Sequence, residues 1–304
     1  MNQFPFNMRF ITGVLSCLGF LPVAFAQTNL PPTFVELPIK LRHGDLFVEV
    51  PVNGSKPLAF KLDTGFGVTT IHPNLVSSLN LRRNGHLTIV GIAGDELAET
   101  YGGAAFDFGG MTYEPRRIAV LPSESHRRGR RRDGILGVGF FRRFVVEINL
   151  DRQRMRLRLP DSFNYTGKGE VIPVTFKSDT PIVEAAIVPS GKPAIAGLFE
   201  IDTGCDDGVC LGRDFVAANH LLATTNSEPN GLKRGVGGSA EIQHGDLAEL
   251  RLGTFTIKKP SANFFLEGSP AGEGQAGHIG LGTLEQFTVI FDYSRKRMIL
   301  EARP

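Results

Sequence analysis

Hydrophobic and polar positions alternate with a period of two through many short stretches of this chain, and glycine, proline or asparagine closes most of them. "LAFKL", residues 58–62, and "GLFEI", residues 197–201, each alternate toward an aspartate, as a strand with one buried face does. The segments that follow, "HPNLVSSLNL" at 72–81 and "GRDFVAANHLL" at 212–222, change to helical spacing, with Pro73 suited to a first turn. A short helix is therefore predicted after each strand. Further on, alternating runs flank "GIAG" at 91–94 and "GVGG" at 235–238, which predicts two glycine-tipped hairpins. Valine, isoleucine, phenylalanine and threonine recur in such runs throughout, so the predicted class is mostly β.

The pattern occurs twice. "FKLDTGFGVTTIHPNLVSSLNL" from Phe60 is answered by "FEIDTGCDDGVCLGRDFVAANHL" from Phe199, which places Asp202 where Asp63 stood. "GILGVGFFRRFVVEINLDRQRMRL" from Gly134 aligns without a gap to "GHIGLGTLEQFTVIFDYSRKRMIL" from Gly277, with nine of 24 positions identical, too many for chance at such similar offsets. The chain thus reads as two homologous lobes, 27–165 and 166–304, joined in the turn-rich "PDSFNYTGKGE" at 160–170.

At 304 residues and 41% apolar content the chain is long enough for two cores, and its formal charge of +2 gives no sign of an obligatory nucleic-acid or membrane partner. Residues 1–26 read as a signal peptide: Arg9, the run "FITGVLSCLGFLPVAF", then "AFA" before Gln27. Lipid modification at Cys17 fits less well, because it would strand an apolar stretch beyond the cysteine. The expected product is exported, periplasmic or secreted, with no lasting membrane span. Cys205 and Cys210 then remain, either as a short-loop disulfide or as small buried hydrophobes.

One Asp-Thr-Gly is an ordinary turn. Two at equivalent places in homologous lobes can face each other across a pseudo-twofold axis. Carboxylates that meet in this way share one proton, so one member can take a proton from water while the other hydrogen-bonds a carbonyl. Gly65 and Gly204 allow a backbone N–H close to a carboxylate, and the Thr64 and Thr203 hydroxyls can cross the interface to hold the opposite loop.

These motifs, with "ILG" at Ile135–Gly137 and "HIG" at His278–Gly280, resemble the aspartic peptidase superfamily, and the match is to single chains with two retropepsin-like lobes. The resemblance spans roughly residues 35–302. It implies a bilobal pepsin/retropepsin-like acid-protease fold and an aspartic-type endopeptidase with Asp63 and Asp202 as its dyad. It further implies Gly137 and Gly280 packed beneath the two loops, and flaps formed by Gly91, Ile92, Ala93 and Gly94 and by Gly235, Val236, Gly237 and Gly238. The implied partner is an extended peptide or protein bound by strand-like pairing, with no cofactor, no metal and no need of a dimer.

Phe66 and Cys205 follow the two motifs, where the family usually has a small or hydroxyl-bearing residue. Phenylalanine offers Asp63 no hydrogen bond, and a thiol is a weak donor to Asp202. A catalytically weak peptide-binding protein of the same fold therefore stays open beside the enzyme. Desolvation by Phe66, with the charges of Asp206 and Asp207, is expected to raise the dyad's pKa values toward neutrality. His278 reads as an ordinary packed histidine.

Other signals lead elsewhere. "HRRGRRRDG", residues 126–134, reads as a solvated loop, and as a landing patch for acidic polymer it supports a third function, binding to an anionic surface. The Arg127–Arg132 stretch is also a candidate processing site. "GEGQAG" at 272–277 fits G-x-G-x-x-G without a βαβ unit around it, "GGSAE" lacks the flanks of a nucleophile elbow, and the scattered histidines give no zinc spacing.

Overall fold

The computed structural model describes residues 1–2, 33–121, 132–223, 228–270 and 272–303, and side chains are described for all of these except residues 223 and 228–230. The signal-peptide reading and most of the arginine run lie outside them. Residues from Pro32 onward form one compact unit, built mostly of short strands. Among the described residues no helix is long and apolar enough to cross a membrane.

The duplication is visible in the strand pairings. In the first half, Leu58–Leu62 runs parallel to Gly134–Leu136, which is antiparallel to Thr70–Ile71, which in turn is parallel to Ile118–Val120. Ile118–Val120 then carries the hairpin Arg82–Gly91/Gly94–Gly102. The second half repeats this order. Ile195–Asp202 is parallel to Gly277–Gly280, which is antiparallel to Val209–Leu211, which is parallel to Ser261–Phe265, which carries the hairpin Glu228–Gly235/Gly238–Asp246. A central aspartate-bearing strand flanked by the apolar-glycine strand is thus built twice.

The final hairpins of the two halves join in one sheet. Val145–Asn149 pairs with Arg154–Arg158 on one side and with Phe287–Asp292 on the other, and Phe287–Asp292 pairs with Arg297–Ala302. Of their identical positions, Met155 and Met298 are both fully buried, whereas Arg297 Nε lies 2.8 Å from the wholly buried Asp292 and Arg154 Nε 3.7 Å from the exposed Glu36. Glu170–Pro173, just after the turn-rich join, adds to the edge of this sheet beside Arg297–Ala302.

A short helix, Val138–Arg143, follows the first apolar-glycine strand and buries Val138, Phe140 and Phe141. Phe140 stacks on Phe108 at 5.1 Å and meets Phe144 and Tyr113 edge-on, while Phe141 meets Phe291 of the second half edge-on at 5.3 Å. Each such buried ring contributes about 1.5–3 kcal/mol relative to exposure. The corresponding helix of the second half is Leu281–Leu284.

The helical reading of 72–81 needs correction. Only the 3-10 turn Pro73–Leu75 forms there, capped by the His72 side chain. Leu79 N–H reaches Leu75 O at 3.0 Å, and Asn80 then turns left-handed at φ 52°, which ends the coil before it becomes a helix. At 212–222 the predicted helix is present over Arg213–Ala218, followed by the 3-10 turn Leu221–Ala223.

Candidate active site

Asp63 and Asp202 stand at the carboxyl ends of equivalent strands, each where the backbone leaves the sheet beside the apolar-glycine strand. Asp63 N–H donates to Leu136 O at 3.1 Å, and Asp202 lies opposite Gly280 in the parallel register. The loops that follow interlock. Thr64 N–H donates to Thr203 Oγ1 at 3.0 Å, and Thr203 N–H donates to Thr64 Oγ1 at 2.9 Å. Each hydroxyl then donates onward into the opposite half, Thr64 to Ile201 O at 2.7 Å and Thr203 to Leu62 O at 3.1 Å. Both threonines are essentially inaccessible, so four hydrogen bonds in a dry environment fix one loop against the other.

That clasp presses each glycine onto the facing acid. A Cβ at Gly204 would lie 2.1 Å from Asp63 Oδ2, and one at Gly65 would lie 2.6 Å from the Asp202 carboxyl carbon. No other residue fits at either place. Gly204 N–H also donates to Asp202 Oδ1 at 2.8 Å. Beneath the loops, the residues after Gly137 and Gly280 make equivalent bonds, Val138 N–H to Phe66 O at 2.8 Å and Leu281 N–H to Cys205 O at 2.7 Å.

The two flaps meet at their tips. Gly91 pairs with Gly94, and Gly235 with Gly238. Ala93 N–H points to Val236 O at 3.5 Å, and Ser269 N–H donates to Ile92 O at 3.2 Å. The tip side chains cross over. Ile92 of the first flap packs on Cys205, Cys210, Ala240, Ile242 and Phe265 of the second half, whereas Val236 packs on the first-half cluster around Ile89, Ala98 and Leu121. Gly237, at φ 81°, turns close against the Gly94 backbone.

Three charged residues that the sequence reading left without a role flank the dyad. Lys61 Nζ lies 2.8 Å from Asp45 Oδ1 and 3.8 Å from Asp63 Oδ2, and it donates to Gly204 O at 2.6 Å. In the other half, His278 Nδ1 contacts Asp202 Oδ2 at 3.0 Å, and Nε2 lies 3.0 Å from Glu200 Oε2. The Nε2 approach is off the line of a hydrogen bond and acts as a charge contact. His278 is therefore no ordinary packed histidine. The available signal was the strand period: Lys61 and Glu200 stand two residues before Asp63 and Asp202, hence on the same face.

The two carboxyls diverge in acidity. Burial, then repulsion by Asp202, pushes Asp63 up to about 7, against the pull of Lys61 and Arg132. Burial acts the same way on Asp202, but the His278 hydrogen bond and charge, with Lys61 and the Gly204 N–H, outweigh it and bring Asp202 to about 2. Between about pH 2 and about pH 7 the pair holds a single proton.

The causes differ from those expected. Phe66 turns into the apolar cluster with Ile89 and Val68, and Lys233 engages both Asp206 and Asp207 and offsets their charge. Cys205 and Cys210 are free thiols rather than a disulfide. Their sulfurs are 3.1 Å apart, and Asp207 Oδ2 lies 3.8 and 3.7 Å from them, placed to accept from both. The Cys205 contact and burial push the Cys210 thiol well above its ordinary value. Cys205, Asp207 and Cys210 offer three metal-ligand atoms within 4.8 Å of one another, but Asp207 already carries the Lys233 ammonium.

Residues 48–140 match the model of a family described as "Aspartyl protease". Among solved structures, the chain is similar to the aspartic proteinase from Irpex lacteus. The two share 16% identity and a TM-score of 0.59, over 88% of this chain and 97% of that one. No curated protein matches the chain.

Proposed function

We propose, for a chain that has the fold of the aspartic proteinases and matches the aspartyl protease family over residues 48–140, that it is an aspartic-type endopeptidase. The supporting observation is the dyad: two largely buried carboxyls, their loops clasped by the Thr64–Thr203 bonds, that hold one proton between them below about pH 7. In the proposed reaction the ionised aspartate takes a proton from a water as its oxygen attacks the peptide carbonyl. The protonated aspartate hydrogen-bonds that carbonyl oxygen and supports the developing charge. When the tetrahedral intermediate collapses, the proton passes to the departing amine. No group outside the pair is needed to balance the protons.

An extended peptide would lie between the dyad and the flaps, paired through its backbone to the hairpins. Ile92 and Val236 hold the flap tips against opposite halves, so entry requires those tips to part. The signal-peptide reading adds to the proposal that the enzyme is exported and works in the periplasm or outside the cell. Amino-terminal sequencing of the exported product, expected to begin at Gln27, checks that part.

The test of activity is cleavage of a mixed peptide library between about pH 3 and 8 by the wild-type chain, Asp63→Asn and Asp202→Asn. Cleavage by wild type alone is expected. Equal cleavage by all three would remove the dyad from the chemistry. Saturable peptide binding without cleavage would favour a peptide-binding module of the same fold.

A further inference from the structure

The repeat makes the two halves alike in backbone, yet the side chains behind the two aspartates differ in charge. In the first half the residue two before the aspartate is Lys61, and its partner in the parallel register is Ile135. In the second half the same two places hold Glu200 and His278. Each of these three polar side chains is buried, and His278 is only 8% exposed. Asp202 therefore has a ring nitrogen at 3.0 Å, while Lys61 lies 3.8 Å from Asp63 and is already bound to Asp45 and Gly204 O.

We propose that His278 is a positioning residue for the reaction: held as an imidazolium between Glu200 and Asp202, it fixes the negative charge on Asp202 and leaves the dyad's proton on Asp63. Asp202 is then the base toward water, and Asp63 the acid toward the carbonyl. The inference rests on the endopeptidase reading, which it deepens by assigning a role to each acid.

The ring has a carboxyl at each nitrogen, and burial raises Glu200 while the His278 charge and contact pull it back down. Neutral imidazole has one N–H, so one nitrogen lone pair would face one of the two carboxylates inside the protein. The other groups around the ring do not change this. Glu200 and Asp202 face it from the neighbouring strand, and Cys210 occupies the opposing place on the strand at its other side. Across the dyad stand Asp63, Lys61 and Asp45. The Tyr293 phenol is buried near Glu200 and Asp202, and that burial pushes it well above its ordinary value, so it stays neutral. Burial alone would discharge His278, but its two carboxylate neighbours outweigh burial and raise it well above the usual histidine value.

The consequence is a wide pH window. The acid limb of the rate profile reports protonation of Asp202, and the His278 charge holds that limb down. In the variant His278→Gln the amide can still hydrogen-bond Asp202 but carries no charge. Its acid limb in kcat/KM is expected to move up by about one pH unit or more, a loss of about tenfold at the acid edge, while Asp63→Asn and Asp202→Asn stay inactive. An unshifted limb in an active His278→Gln chain overturns the inference and leaves the endopeptidase reading standing. Cleavage by Asp63→Asn and Asp202→Asn overturns both. Nitrogen NMR of the wild-type ring needs no turnover or substitution. Both His278 nitrogens are expected to be protonated at pH 7, and a neutral ring there overturns the inference alone.

Discussion

Replacing Asp63 by asparagine keeps the side-chain volume and removes the only carboxyl in the dyad that titrates near neutral pH, which makes stability a direct probe of the shared proton. Burial and Asp202 raise Asp63 from 3.8 to about 7. A carboxyl raised on folding stabilises the native state fully below its unfolded value, and that contribution falls away as pH climbs through the folded value. The window runs from about pH 4 to about pH 7. Asp202, lowered to about 2, stays ionised throughout it and adds no slope. Between pH 5 and pH 9 the raised group should cost wild type about 2–3 kcal/mol, from 1.36 kcal/mol per pKa unit, whereas Asp63→Asn escapes that cost. Groups that titrate alike in both chains cancel in the comparison. Urea unfolding of both at pH 5 and pH 9 measures the difference. The Asp63→Asn chain is expected to gain about 2–3 kcal/mol on wild type over that interval. A gap that stays constant to within about 0.5 kcal/mol, the usual resolution of such comparisons, would refute a protonated Asp63 near neutrality.

Other substitutions probe the same architecture. Thr203→Val removes the acceptor of Thr64 N–H and the donor to Leu62 O. Urea unfolding should show a cost of about 1–3 kcal/mol, with kcat falling more than KM rises because the acids lose register. Gly204→Ala places a methyl 2.1 Å from Asp63 Oδ2, well inside contact distance. Cleavage is expected to drop by about 100-fold or more with an unchanged circular dichroism spectrum, and retained activity would mean the loops are looser than described. Lys61→Met takes the cation from buried Asp45 and from Gly204 O. Thermal and urea unfolding should show a loss of up to about 3–5 kcal/mol, partly recovered when Asp45→Asn is added.

The sequence was most legible where local pattern and duplication agreed. Alternation in "LAFKL" and "GLFEI" identified the two aspartate-bearing strands, and glycine at 91, 94, 235 and 238 marked both hairpin turns. It was least legible where the outcome depends on contacts far along the chain. Leu75 and Leu79 have helical spacing, yet one α-type bond forms before Asn80 turns. Phe66 looked like the residue to watch because it is adjacent in sequence to the motif, but its ring packs away into an apolar cluster. Beyond burial and the repulsion of Asp63 by Asp202, the acidity of the pair is tuned by Lys61, Arg132 and His278, the last of them 76 residues from the aspartate it touches. Cys205 and Cys210 could by sequence have been a short-loop disulfide or small buried hydrophobes; they are free buried thiols in an apolar cluster, with Asp207 Oδ2 near both.

The duplication itself explains how such an asymmetry can arise. Two identical subunits around a true twofold axis must place the same residue beside each aspartate, so neither acid is favoured as the proton's holder except by thermal chance or by substrate. Two copies in one chain are free of that constraint. The backbone has kept the symmetry that the clasp needs, with threonine and glycine identical at 64 and 203 and at 65 and 204. The residues behind the acids have diverged in pairs, Lys61 against Glu200 and Ile135 against His278. Within the second half, either member of the Glu200–His278 contact alone carries a cost: Glu200 without His278 sets a second buried carboxyl beside Asp202, and His278 without Glu200 is a buried cation held by one acid. The paired change keeps charges of opposite sign together, and on the proposed assignment it gives the two acids different work.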